Sequence, residues 1–236
     1  MGVLSDVEML YRMRRLGLVN GAPVDVPEGS TLCERHAVTP DGYSIPLMRA
    51  DDPNRLEVEP FCGFTKTEGH PSHGLGSYGI DLRLGARYKW LDRHKLAAMG
   101  IPYVRPGMKN LPWREECLTP ECPMMIVPAR SAVLAEVMER IRVPRDCAGS
   151  IYTKSTWARL FIDLNTTPAE PTWDGVLTLE VTNQSDVAVG IELGEGIAQV
   201  VFHTANEPGR FPLRVGYADR NNPTYQHQTG VWEARA

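Results

Sequence analysis

Within GVLTLEVTN (175–183), residues 177–182 alternate aliphatic and polar side chains. A period of two cannot serve a helix, whose faces repeat every 3.6 residues, so this stretch is committed to a strand with one buried side. Leu177, Leu179 and Val181 fall on one face; Thr178, Glu180 and Thr182 fall on the other. The aliphatic face must meet a core. The polar face meets either solvent or a polar cavity, and a carboxylate at Glu180 fits both.

Strand-like runs recur at LEVEPF (56–61), GLGSYGIDLRLGARYKWL (74–91), where the alternation predicts a half-buried strand, and SIYT (150–153). Nineteen prolines and twenty-one glycines, scattered over 236 residues, divide these runs with turns and leave little room for long helices. One short helix is expected at the amino end. There Ser5 and Glu8 have capping-box spacing, and Leu4 with Met9 can staple the entry. Residues 20–56 carry turn formers with no sustained period and read as an insertion or irregular lobe; residues 92–123 read as irregular too. With no repeat and no composition break, residues 1–236 are expected to form a single mainly β domain, a barrel, sandwich or jelly roll.

The net charge of −4 is spread over interspersed acids and bases, which argues against a nucleic-acid polymer as partner. No apolar run approaches the roughly 20 residues a bilayer span needs, so no membrane association is expected. Asp6 stands where a myristoylation signal wants Ser or Thr. Five cysteines, an odd number without compact spacing, fit reduced thiols in a soluble cytoplasmic protein. Cys33, His36, Cys62, His70 and His73 could supply zinc ligands, but the irregular spacing between them reads more simply as buried thiols and surface imidazoles. No metal site is expected.

KSTWAR (154–159) follows the SIYT strand as a tight turn or single helical turn, with Ser155 and Arg159 on one face. Free backbone N–H groups beside Lys154 and Arg159 make a phosphate seat, or equally a Ser-capped turn with solvated cations.

Four ordered segments carry a resemblance: GSIYTKSTWAR (149–159), TTPAEPTWDGVLTLEVTN (166–183), GEGIAQVVF (194–202) and YADRNNPTYQHQTGV (217–231). Together with VLSDVEML, EVEPF and GLGSYGIDLRLG, they resemble the dCTP deaminase branch of the trimeric dUTPase superfamily. The resemblance implies a dUTPase-like distorted β-barrel or jelly roll. It assigns Glu180 the role of general base and acid toward C4 of cytosine, with Ser155 and Arg159 holding base, water and phosphates. It implies further nucleotide contacts at Lys154, Thr156, Trp157, Ala158, Glu170, Thr178, Leu179, Gln199, Tyr217 and Gln228, and puts the backbone near Thr167 and Pro168 at the catalytic water. It also implies a carboxy-terminal lid over 217–236, a homotrimer with sites shared between chains, and Mg²⁺ carried by the triphosphate. Zinc is not expected in catalysis, since neither H-x-E nor P-C-x-x-C occurs here.

The expected activity is deamination of dCTP to dUTP and ammonia. Two departures keep alternatives open. Glu170 replaces an Asp of dUTPases, so a bifunctional enzyme or plain dUTPase rests on that residue; Thr224 stands where the family usually has Lys. Thr224 and the 20–56 segment motivate a nucleotide-sensing alternative.

Overall fold

The computed structural model describes residues 2–20, 22–204, 216–221 and 223–233. Among them nine strands join one antiparallel sheet. Its main path runs Cys147–Thr153, Gly196–Thr204, Gly79–Leu91, Ser131–Arg142, Asp174–Asn183 and Ile162–Asn165, with shorter strands Glu57–Glu59, Gly74–Gly76 and Trp113–Cys117 alongside. The two end strands approach each other. Leu164 donates its N–H to Thr153 Oγ1 (3.0 Å), Thr153 donates to Asp163 Oδ1 (3.2 Å), and Thr166 donates to the Ile151 carbonyl (3.1 Å). The sheet therefore curls almost shut, which leaves few unpaired edge groups.

Parity puts Leu179 and Val181 inside, at 1% and 0% exposure, against Leu82, Leu84, Ile141, Val200 and Phe202. Each such side chain contributes about 1.5–3 kcal/mol by leaving water. Leu177, expected in the same core, is only partly buried. The reason is a register shift: Thr178 pairs with Glu136 but Val176 pairs with Arg140, so the neighbouring strand bulges opposite Leu177.

The 79–91 strand is buried on both faces over most of its length, rather than half-buried as its alternation predicts. It lies between Gly196–Thr204 and Ser131–Arg142 and pairs also with the Gly74–Gly76 and Trp113–Cys117 strands, so both its edges are filled. Its polar residues are accommodated by pairing. Arg83 Nε lies 2.6 Å from Glu139 Oε1, and burial pushes the Glu139 pKa up although Arg83 pulls the other way.

The amino-terminal helix spans Asp6–Arg12, with Ser5 accepting the Glu8 N–H (3.3 Å) and Leu4 and Met9 fully buried. Arg12 fixes it to the barrel through a bidentate pair with Asp146 (2.6 and 2.9 Å). Residues 20–56 are more ordered than their composition implies. Thr31–Leu32, His36–Val38 and Ser44–Pro46 form a three-stranded sheet over a small core of Ala37, Ile45 and Leu47. Strands of two or three residues are too short to show a period. Within 92–123, Asp92 caps a helix over Arg93–Ala98, and Trp113–Cys117 forms a strand. No described helix is long and apolar enough to cross a membrane.

Candidate active site

Glu180 sits mid-strand, opposite Leu134 on one neighbour and Asn165 on the other. With Leu179 and Val181 locked into the core, its carboxylate has only the outer face to occupy. That face is the wall of a cavity of about 1300 Å³, shared with Glu170, Thr178, Tyr217 and Gln228. The backbone around Thr167 and Pro168 lines it as well. Glu180 is exposed to the cavity, yet the surrounding walls desolvate it and raise its pKa, with a main-chain hydrogen bond opposing in part.

The other carboxylate expected near the base is already neutralised: Glu170 forms an ion pair with Arg220, whose guanidinium lies 5.1 Å from the Tyr217 ring centre. Two acids in one cavity therefore have different environments. Glu180 is desolvated and has no ion-pair partner among the described residues; Glu170 is salt-bridged.

The described part of 217–236 is stitched along residues 170–178. Trp173 Nε1 donates to the Tyr225 carbonyl (3.1 Å), His227 N–H to the Asp174 carbonyl (2.7 Å), and Val176 N–H to the Gln228 carbonyl (2.9 Å). Gln228 Nε2 donates to Thr178 Oγ1, which also accepts the Trp232 N–H (3.2 Å). Gly175 permits this contact, because a Cβ there would lie 2.9 Å from the Gln228 nitrogen. Asn222 and residues 234–236 of the expected lid lie outside the described residues, whereas Thr224 is described.

KSTWAR forms a second group. Ser155–Ala158 is one helical turn, anchored by Trp157, whose buried indole donates to the Gly196 carbonyl (2.8 Å). Ser155, Thr156, Ala158 and Arg159 are exposed, and Arg159 Nη1 reaches Ser155 Oγ at 3.5 Å. None of these residues lines the cavity that holds Glu180. Lys154 is paired with Asp81 and donates to Ser72 Oγ (3.2 Å); Gln199 Nε2 donates to the same Asp81 (2.9 Å). Leu179 and Trp157 bury their side chains in the core.

Asp81, the hub of the Lys154 and Gln199 network, was not among the expected site residues; its signal was a buried acid set between Ile80 and Leu82. The cavity wall over 104–111 carried no periodic signal at all. Among the described residues one trio has metal-ligand geometry, His70, Glu192 and Glu195, with ligand atoms within 4.8 Å. Glu195 is already engaged by His70 (2.9 Å) and by the Glu192 N–H (2.8 Å). Cys33, His36, Cys62, His70 and His73 do not gather into such a group.

A family model described as dCTP deaminase-like matches residues 63–205. The chain is 36% identical over 174 residues to the dCTP deaminase of Acidobacterium capsulatum, covering 74% of this chain and 88% of that one. It is 37% identical over 174 residues to the dCTP deaminase of Campylobacter lari, covering 74% and 87%. The solved 2'-deoxycytidine 5'-triphosphate deaminase from Agrobacterium tumefaciens aligns at 19% identity with a TM-score of 0.44, over 64% of this chain and 43% of that one. This chain thus spans less than half of that solved chain.

Proposed function

Since the chain belongs to the dCTP deaminase-like family, we propose that it converts dCTP and water to dUTP and ammonia with Glu180 as the proton carrier. The observation that carries this reading is a desolvated carboxylate, without an ion-pair partner among the described residues, on the wall of a cavity of about 1300 Å³, ample for a nucleotide. Ionised Glu180 takes a proton from water as its oxygen bonds to C4 of cytosine. The C4–N3 π pair shifts onto N3 as the oxygen adds. The proton is then returned to the departing amino group, the C4–NH2 bond breaks as the N3 pair re-forms the double bond, and ammonia leaves. The second water proton passes from O4 to N3 to give the uracil ring. One carboxylate that accepts and later donates suits both halves. A desolvated wall favours the protonated form and so strengthens the carboxylate as the base that takes the proton from water.

Ser155 and Arg159 supply donors for the developing tetrahedral centre and the phosphates. They lie outside the Glu180 cavity of their own chain, which supports a homotrimer in which one chain's KSTWAR turn completes its neighbour's site. Gln228 and Tyr217, already seated by the cavity, act as the inner edge of the carboxy-terminal lid. The substrate is the magnesium complex of dCTP. The reaction takes place in the cytoplasm, where such nucleotides are held.

The pH dependence tests the base. Because burial raises the Glu180 pKa, kcat/KM for dCTP falls as pH drops through a midpoint above 4.5, the ordinary value for the group. A rate-against-pH profile of ammonia release checks this. An acid limb at or below 4.5 would contradict a desolvated base.

A further inference from the structure

One wall of the cavity is a loop rather than a strand. Between the helix ending at Ala98 and the strand starting at Trp113, residues 104–111 arch along the cavity and place Arg105 and Lys109 on its surface. The loop has a defined shape. Arg105, Pro106, Gly107 and Met108 form a turn in which Met108 N–H bonds to the Arg105 carbonyl (3.3 Å), with proline second and Gly107 third at φ 79°. Those are the residues a type II turn requires, and the turn sets Arg105 and Lys109 on its two sides.

The charges lining the cavity are unevenly matched. Of its three carboxylates, Glu170 is paired with Arg220 and Glu233 with Lys89 (2.6 Å), whereas Glu180 has no ion-pair partner among the described residues. Neither lining cation, Arg105 or Lys109, has an ion-pair partner among the described residues. The uncompensated charges are thus one carboxylate on the strand and two cations on the loop. A ligand that complements them is neutral at one end and strongly anionic at the other.

We propose that Arg105 and Lys109 bind the phosphate chain of the substrate and make the site selective for the triphosphate over the monophosphate. This rests on the reading of the cavity as a dCTP site. Arg105 offers a planar fork and Lys109 a compact charge, two complementary ways to hold phosphate oxygens. Both are exposed in the free chain, so their contribution is sensitive to salt.

The test is the double variant Arg105→Ala/Lys109→Ala, compared with wild type and with the charge-preserving Arg105→Lys/Lys109→Arg. Binding of dCTP and dCMP is followed by quenching of the cavity tryptophans, Trp113, Trp173 and Trp232, beside steady-state kinetics. The double alanine variant raises the KM and the dissociation constant for dCTP about 10- to 100-fold, with kcat within about twofold. Binding of dCMP changes much less, and the charge-preserving variant recovers most of the loss. The salt dependence of dCTP binding also flattens. Unchanged dCTP affinity, or equal weakening of dCTP and dCMP, overturns the proposal. If wild type quenches with dCTP but releases no ammonia, the deaminase reading falls while the binding comparison still decides the role of the loop; absence of any dCTP quenching in wild type overturns the loop proposal as well.

Discussion

Glu180→Gln is expected to lower kcat for ammonia release from dCTP by about 10²- to 10⁴-fold while leaving nucleotide binding intact. The amide keeps the size of the side chain but cannot take a proton from water. Nothing in the fold depends on the lost charge: Glu180 has no side-chain hydrogen-bond partner among the described residues, and it is exposed. The stability change should stay within about 0.5 kcal/mol, as for ordinary surface substitutions. Its neighbours Leu179 and Val181 hold the strand regardless. Kinetics beside a thermal melt and a dCTP titration separate the outcomes. Full turnover in the variant would remove Glu180 from the mechanism.

Arg159→Ala should be comparably inactive, although Arg159 does not line the Glu180 cavity in its own chain. The two inactive variants are expected to rescue each other when co-expressed with different tags and purified through both. In a mixed ring some sites take Glu180 from one chain and Arg159 from its neighbour. Every trimer retained through both tags is mixed and carries one such site of three, so about a third of wild-type activity is restored. Mixed oligomers with no activity would contradict shared sites and require the two groups to meet within one chain.

Much of the site was legible because its signals are local. The parity of GVLTLEVTN places Leu179 and Val181 inside and Glu180 outside from nine residues alone. Ser5, as a helix cap, and KSTWAR, as a single turn, are equally short-range and appear as expected. What sequence reasoning missed depends on distant partners. Leu177 leaves the core because three residues of another strand bulge opposite it. The 79–91 strand lies in the interior of the sheet because Ser131–Arg142 and Gly196–Thr204, far along the chain, pair with it. Asp81 gains its meaning only when Lys154 and Gln199 fold against it. Thr178 reads as an ordinary strand threonine until Gln228 and Trp232, some fifty residues later, converge on its hydroxyl. The loop carrying Arg105 and Lys109 has turn chemistry but no period, so its position over the cavity comes from the helix and strand that hold its ends.

Glu170 marks where a second activity would arise, since it lines the same cavity as Glu180. Its pairing with Arg220 favours a structural or ribose-facing role over activation of water. Product analysis separates these roles together with the main claim.

The most direct test is to incubate the wild-type protein with dCTP and Mg²⁺ and follow ammonia, dUTP, dUMP and pyrophosphate in one chromatographic time course. Equal amounts of ammonia and dUTP, without pyrophosphate, are the predicted result; dUMP with pyrophosphate would add Glu170 as a second catalytic acid. Saturable binding of dCTP with no ammonia released would contradict the assignment of Glu180 as a deaminating base.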